Sequence, residues 1–217
     1  MDFAAARRNM VDSQVRPNDV TDLRIQNALL TTPRERFLPN HLQDQAYVEH
    51  EVSYATDRRL MRARDFAKLL AIAAPEPDDL VLNVVCGSGY STAILAQLTG
   101  MVVALEQDEA LASKAEASLA ALDINNVAVV QAEAPSGLKE QGPYDLIFVD
   151  SAVGTRPEGL LEQLKDGGRL ATIHCADGAS QGVLYRRVGD AISEKAYFDA
   201  ACRYIQPGFE KKPEFRF

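Results

Sequence analysis

Two glycines and one glutamate have the residue types and the spacing expected of a nucleotide-binding site. Gly87 and Gly89 follow an apolar run, and Glu106 ends the next apolar run, roughly 20 residues further on. Glycine lets the backbone turn tightly and approach a ligand without a Cβ in the way. A carboxylate at the end of the second strand can accept hydrogen bonds from both ribose hydroxyls. The pattern predicts a strand–turn–helix unit that holds a nucleoside-containing cofactor.

Other glycine motifs fit this turn less well. A P-loop requires a lysine, which is absent here, and a nucleophile elbow requires Gly-x-Ser-x-Gly, whereas Ser88 lies directly between Gly87 and Gly89. The dinucleotide fingerprint requires a third glycine or alanine where Thr92 stands. A methyltransferase-type loop remains, together with the simpler interpretation of a tight turn that holds no ligand.

Acidic residues also follow the third and fourth apolar runs. Glu133 is a candidate partner for an adenine amino group, with an ordinary loop acid as the alternative. Asp150 ends the fourth run beside the expected cleft, where it would face substrate or cofactor. Asp145 begins that run and is expected to cap or solvate the strand.

The elements that position these residues alternate between apolar runs and helical stretches. Unbroken apolar runs of this length are typical of strands buried on both faces of a parallel sheet. Helices are predicted at Glu109–Leu122 and Pro157–Leu164, and two antiparallel edge strands at Val183–Val188 and Ala196–Phe198. The sequence therefore predicts an α/β fold with a doubly wound, Rossmann-like sheet. Its five core strands are expected at Leu80–Val85, Val102–Leu105, Val127–Val130, Leu146–Val149 and Leu170–Ile173.

The region before this sheet differs in its predicted secondary structure. Residues 1–75 are predicted to form a helical N-terminal region packed on a core of residues 76–217, the two making one structural domain. The first helix is amphipathic, Asp19 or Thr21 is expected to cap the second, and the third covers Asp65–Ala74. The basic run Arg58–Arg64 is interpreted as a solvated helix start.

Composition and charge limit the classes of partner. The 217 residues are 47% hydrophobic, which suits one globular domain, and no apolar run is long enough to span a bilayer. The formal net charge of −8 disfavours nucleic acid, so we expect neither a nucleic-acid nor a membrane partner. Cys86, Cys175 and Cys202 form no CxxC pair, which argues against a zinc site or disulfide framework and favours the cytoplasm.

Nearly the whole chain resembles the protein-L-isoaspartate O-methyltransferases, and especially their shorter bacterial members. The most specific segment is Pro33–Pro39, PRERFLP, which Arg8-x-Met10-Val11 precedes and Ala46-Tyr47 follows. Val81–Tyr90 is similar to the family's cofactor loop, and Val103–Glu106 is similar to its next motif. Leu161–Leu170 resembles the segment that leads into the fifth strand.

The resemblance implies an enzyme that moves a methyl group from S-adenosyl-L-methionine to the free carboxylate of L-isoaspartyl residues in damaged proteins or peptides. This nucleophile is already ionised, so positioning and exclusion of water are expected to supply most of the rate, and no catalytic residue is assigned. The glycine pattern and the resemblance together assign cofactor binding to Asn83, Val85, Cys86, Gly87, Gly89, Glu106 and Glu133.

Two segments depart from the family pattern. Asn83 and Val85 stand where the family has an acid and a glycine, so weaker cofactor binding is expected, because a charge-assisted bond is about twice as strong as a neutral one. The family's Thr-x-Ser-x-Pro-like substrate segment is replaced by Arg58–Arg64, whose guanidinium groups could bind a carboxylate in bidentate fashion. Two alternatives stay open: a catalytically degenerate binding or regulatory member of the fold, and an NAD-dependent oxidoreductase, since Glu106 suits either ribose.

Overall fold

The computed structural model describes residues 1–211, and its N-terminal part is helical up to residue 45. Helix α1 (Phe3–Met10) continues into a π-helical turn, and α2 (Leu23–Thr31) follows. The cap of α2 is Asp22, which accepts from the Arg24 amide at 2.8 Å, so the prediction of Asp19 or Thr21 was wrong. Asp19 instead adopts a left-handed conformation that ends the preceding turn.

A β-hairpin precedes the third helix. Strands β1 (Val52–Ala55) and β2 (Arg58–Leu60) pair antiparallel, and α3 (Ala63–Ala73) begins shortly after them. The interpretation of Arg58 as part of a solvated helix start was therefore wrong. Arg58 lies in β2, which pairs with β1, and the pair Val52 and Leu60 at the base of the hairpin is buried.

The central sheet has seven strands in the order β5-β4-β3-β6-β7-β8-β9. The strands from β3 to β7 run parallel, and β8 and β9 add an antiparallel edge. This confirms the predicted doubly wound sheet with antiparallel C-terminal strands. The bounds are β3 Leu80–Val84, β4 Met101–Glu106, β5 Val127–Gln131, β6 Tyr144–Val153, β7 Leu164–Ala176, β8 Ala179–Val188 and β9 Ala191–Asp199.

Three helices connect the parallel strands: α4 (Tyr90–Ala96), α5 (Glu109–Ala120) and α6 (Glu158–Leu161). The helix predicted over Pro157–Leu164 is shorter than expected, because Leu164 already pairs with Tyr144 as the first residue of β7. The other bounds differ from the predicted ones only at their ends.

The sheet separates two layers of buried apolar side chains. Neighbouring residues such as Val81 and Leu82 enter opposite layers, as expected for strands buried on both faces. One layer joins the sheet to the N-terminal region, with Phe66 of α3 against Phe148 of β6 at 5.8 Å between ring centroids. The division of the chain at residue 75 stays a prediction, and residues 212–217 of that predicted core lie outside the described part.

Within residues 1–211, no helix combines the length and the apolar character needed to cross a bilayer.

Candidate functional site

The candidate site lies at the carboxyl ends of β3, β4 and β6. The strand order reverses between β3 and β6, and ligands of open α/β sheets bind at such a switch point. Val85 follows β3, Glu106 ends β4, and Asp150 lies in β6 where the register with β7 is interrupted. An irregular strand can turn a side chain away from the regular alternation.

The glycine turn after β3 has the predicted strand–turn–helix form. Gly87 and Gly89 both have positive φ, +56° and +96°, and Gly89 is the N-cap of α4. A Cβ on Gly89 would lie 3.3 Å from the Ala115 backbone, so this glycine allows the turn to pack closely on α5.

Val85 adopts a backbone conformation that is rare for its residue type. Its φ is +62°, in the left-handed region that costs an L-residue roughly 1–2 kcal/mol. Its side chain is buried and lines the small cavity that remains at this edge of the sheet. The turn therefore keeps a glycine-like backbone while carrying a branched side chain.

Glu106 is completely buried and has no free acceptor position. Its Oε1 accepts from the amides of Gln107 at 2.8 Å and Asp108 at 3.0 Å, and its Oε2 accepts from the Gly87 amide at 2.9 Å. Arg58 supplies two further donors, Nε to Oε2 at 2.9 Å and Nη2 to Oε1. A carboxylate offers about four lone-pair sites, so these five donors saturate it.

The Arg58–Glu106 pair is a bidentate ion pair inside the protein. The exposed fractions of the two side chains are 7% and 0%. Burial opposes the charge of Arg58, but the hydrogen bonds and the attraction of Glu106 raise its pKa above the ordinary value. Arg58 therefore stays a cation and occupies the carboxylate that was predicted to bind a ribose.

Tyr54, on the other strand of the hairpin, covers the glycine turn. A Cβ on Gly87 would overlap the Tyr54 hydroxyl oxygen, which also accepts a hydrogen bond from the Ser88 amide at 3.3 Å. Burial raises the pKa of the Tyr54 phenol, so it stays neutral. The space that glycine leaves for a ligand is thus filled by a side chain of the same protein.

The C-terminal segment after β9 holds the hairpin in this position. The Tyr204 hydroxyl donates to the Asp57 carboxylate in the hairpin turn, and the Arg59 guanidinium lies 3.8 Å from the centroid of the Tyr204 ring. In the amide orientation that satisfies both partners, Gln206 accepts from Arg58 Nη1 at 2.9 Å and donates to the Asp57 carbonyl at 3.2 Å.

Asp150 and Glu51 face the remaining cavity. Within residues 1–211, neither Asp150 Oδ1 nor Glu51 Oε1 has a hydrogen-bond partner, although both atoms are buried. Burial is the main cause that raises the pKa of Asp150 to about 7. Asp150 can therefore change protonation near neutral pH.

Three of the predicted cofactor residues lie elsewhere. Asn83 is fully buried beneath α4, where its Oδ1 accepts from the hydroxyls of Ser91 at 2.9 Å and Thr92 at 2.7 Å. The thiol of Cys86 is buried, which raises its pKa, and packs as an apolar side chain. Glu133 is exposed, just after β5. Of the other four predicted residues, Val85, Gly87 and Glu106 border the cleft, and Gly89 packs against α5 at the end of the same turn.

The part of the cleft beneath the hairpin has no room for a cofactor in this conformation. The cavity lined by Tyr54, Arg58, Val85 and Asp150 has a volume of about 10 Å³, enough for one water molecule, whereas ligand pockets usually hold about 300–1,000 Å³. A more open pocket of about 300 Å³ also borders Arg58 and is lined by Thr56, Gln107 and Asp108. Arg58 and Tyr54 lie in the cleft, but neither was assigned to it from the sequence. The arginine-rich run was predicted to be able to bind a carboxylate, without an indication that this carboxylate is internal, and Tyr54 had no signal in the sequence.

The segment Pro33–Pro39 acts as a structural support behind this site. Arg34 is almost fully buried, its Nε donates to the Ala46 carbonyl at 2.7 Å, and its Nη2 donates to the Met61 carbonyl. Its guanidinium also lies 4.8 Å from the ring centroid of Tyr90, the first residue of α4. The most specific motif thus joins the N-terminal region to the helix that follows the glycine turn.

The parallel sheet, the glycine turn after β3 and the carboxylate at the end of β4 define the class as a Rossmann-like methyltransferase fold. Two solved protein-L-isoaspartate O-methyltransferase structures share this fold. One has a TM-score of 0.79 and 23% identity, covering 93% of this chain and 66% of its own. The other, from Plasmodium falciparum and in complex with S-adenosyl-L-homocysteine, has a TM-score of 0.76 and 20% identity, covering 95% and 98%.

The sequence comparisons name the family. The profile of the protein-L-isoaspartate(D-aspartate) O-methyltransferase family matches residues 6–207. The protein-L-isoaspartate O-methyltransferase of Methanoregula boonei is 37% identical over 189 residues, which cover 87% of each chain. The chain therefore belongs to the protein-L-isoaspartate(D-aspartate) O-methyltransferase family, as the resemblance in the sequence indicated, and the methyl donor of that family is S-adenosylmethionine.

Proposed function

We propose that this protein is an S-adenosylmethionine-dependent O-methyltransferase that acts on the free carboxylate of L-isoaspartyl residues in damaged proteins or peptides. The observation that carries the proposal is the family match across residues 6–207, which includes the cleft and the hairpin that covers it. The same match favours a methyl donor over a nicotinamide dinucleotide.

The geometry of Glu106 supports this function. Three backbone amides, from Gly87, Gln107 and Asp108, orient its carboxylate at the end of β4. If Arg58 leaves, those amides still hold the carboxylate, and the acceptor capacity that Arg58 used on both oxygens becomes available. A carboxylate held in this way is suited to two neighbouring ribose hydroxyls. We propose that Gly87 and Val85 border the same cofactor site and that Glu133 lies at its rim.

The acceptor side of the cleft differs from the family pattern. The run Arg58–Arg64 stands in place of the hydroxyl-bearing substrate segment, and within it Arg62 forms an ion pair with Asp65 at 2.5 Å. Arg59 lies on the Tyr204 ring and lines the cavity. We propose that Arg59 is the cation that attracts the substrate carboxylate. A cytoplasmic location is part of the proposal, because Cys86, Cys175 and Cys202 are all free thiols.

The test is a methylation assay on a matched pair of peptides, identical except that one contains an isoaspartyl residue and the other the ordinary aspartyl residue. Mass spectrometry should detect a methyl ester on the isoaspartyl peptide only. The assay includes wild type and Arg58→Ala, so that a closed cleft cannot hide activity. Absence of the ester with both proteins would refute the proposed function and favour a member of the fold that has lost catalysis.

A further inference from the structure

The cofactor cleft of this protein is filled by two side chains from one hairpin, β1–β2. Arg58 saturates the carboxylate of Glu106, and the Tyr54 hydroxyl takes the space above Gly87. These are the two positions that the glycine turn and the second-strand acid leave for a ligand. The contacts join residues that are 48 positions apart for Arg58 and 34 apart for Tyr54.

We propose, resting on the proposed function, that Arg58 and Tyr54 form an intramolecular substitute for the nucleoside, and that cofactor binds only when the hairpin moves out of the cleft. The guanidinium provides the two parallel donors that a ribose would provide with its two hydroxyls. It also carries a positive charge, which a ribose lacks, so it competes strongly for a buried carboxylate.

The way in which the hairpin is held fits a movable element. Its turn is attached through polar contacts of Asp57, with Tyr204 at the surface and with the buried Gln206, while Val52 and Leu60 anchor its base in the core. Movement of the turn would therefore break an ion pair and a few hydrogen bonds while leaving the apolar base packed. Water can replace the lost partners of Arg58 and Asp57 once they are exposed.

Competition of this kind lowers the apparent affinity for cofactor. The observed dissociation constant equals the intrinsic constant divided by the fraction of molecules with an open cleft. A hairpin that is closed in nine of ten molecules would weaken binding about tenfold, and one closed in 99 of 100 would weaken it about a hundredfold. Removal of the Arg58 guanidinium should therefore increase the affinity for cofactor by the same factor.

The experiment is calorimetric titration of S-adenosylhomocysteine, which cannot react, into wild type, Arg58→Ala, Tyr54→Ala and the control Arg36→Ala. Arg36 is an exposed arginine outside the cleft. We expect Arg58→Ala to bind about 10- to 100-fold more tightly than wild type, Tyr54→Ala to bind more tightly as well, and Arg36→Ala to match wild type. Arg58→Met, which keeps the aliphatic stem, replaces Arg58→Ala if that variant does not fold by circular dichroism.

Two results would overturn the inference, and they have different consequences for the proposed function. If wild type and the folded Arg58 variant bind with equal affinity, the hairpin does not compete and the cofactor function stands. If none of these proteins binds at millimolar ligand, Arg58 is not what excludes the cofactor, and the proposed function fails as well.

Discussion

The buried ion pair between Arg58 and Glu106 predicts an asymmetric effect on stability. Glu106→Gln removes a charge from a site with no exposed surface. It also places the NH₂ group of the glutamine side chain against groups that now donate hydrogen bonds to Glu106, such as Arg58 and the Gly87 amide. Breaking a buried pair by removing one partner costs about 3–5 kcal/mol, because the other charge stays buried without compensation. We expect that cost for Glu106→Gln.

Arg58→Met should cost less, about 1–2 kcal/mol. The carboxylate of Glu106 would keep three backbone donors, from Gly87, Gln107 and Asp108, and such donors by themselves stabilise an ionised carboxylate. The methionine would retain the apolar stem contact. The double variant Arg58→Met/Glu106→Gln should cost less than the sum of the single variants, since the two residues share one interaction.

The assay is urea unfolding followed by far-UV circular dichroism, because the chain contains no tryptophan. In a protein of this size each kcal/mol corresponds to a shift in Tm of about 2–4 °C, which provides an independent readout. The m-value should stay constant across the variants if only native-state contacts change. The reasoning is refuted if Arg58→Met destabilises the protein as much as Glu106→Gln, or if the single costs add without coupling.

Three further predictions concern the surroundings of the cleft. Arg34→Met should lower the free energy of unfolding by about 2–4 kcal/mol, because the Ala46 and Met61 carbonyls lose their buried donor. In the same urea assay, the control Arg36→Met, at an exposed position, should change it by less than about 0.5 kcal/mol. Equal effects of the two substitutions would contradict the structural role of Arg34. Burial raises the pKa of Asp150 from 3.8 to about 7, so between about pH 4 and 7 the native state holds a proton that the unfolded chain has lost. The free energy of unfolding should therefore fall as the pH rises through this range, and Asp150→Asn should flatten the slope. Parallel pH curves for wild type and Asp150→Asn would show that Asp150 does not cause the pH dependence. Val85→Gly should be more stable than Val85→Ala, the reverse of the usual order, because only glycine relieves a φ of +62°, and a more stable alanine variant would show that no strain is stored there.

Much of the fold could be read from local patterns. Unbroken apolar runs predicted the five parallel strands, because a strand covered on both faces has no polar side to interrupt it. Gly87, Gly89 and Glu106 were found from their spacing, since strand, turn and helix are set by neighbouring residues. The β1–β2 hairpin was missed because its charged strand pairs with residues that give no strong local signal.

What the sequence by itself determined is the family, the order of the elements in the central sheet and three residues that border the cleft, Val85, Gly87 and Glu106. Only the tertiary structure decided what occupies that cleft. The chemistry of the guanidinium group indicated that the arginine-rich run could bind a carboxylate, but the carboxylate bound by Arg58 is Glu106, 48 residues further along the chain. A bidentate ion pair depends on the relative position of two side chains in space, and no local pattern encodes a contact between segments brought together only when the sheet and the hairpin pack.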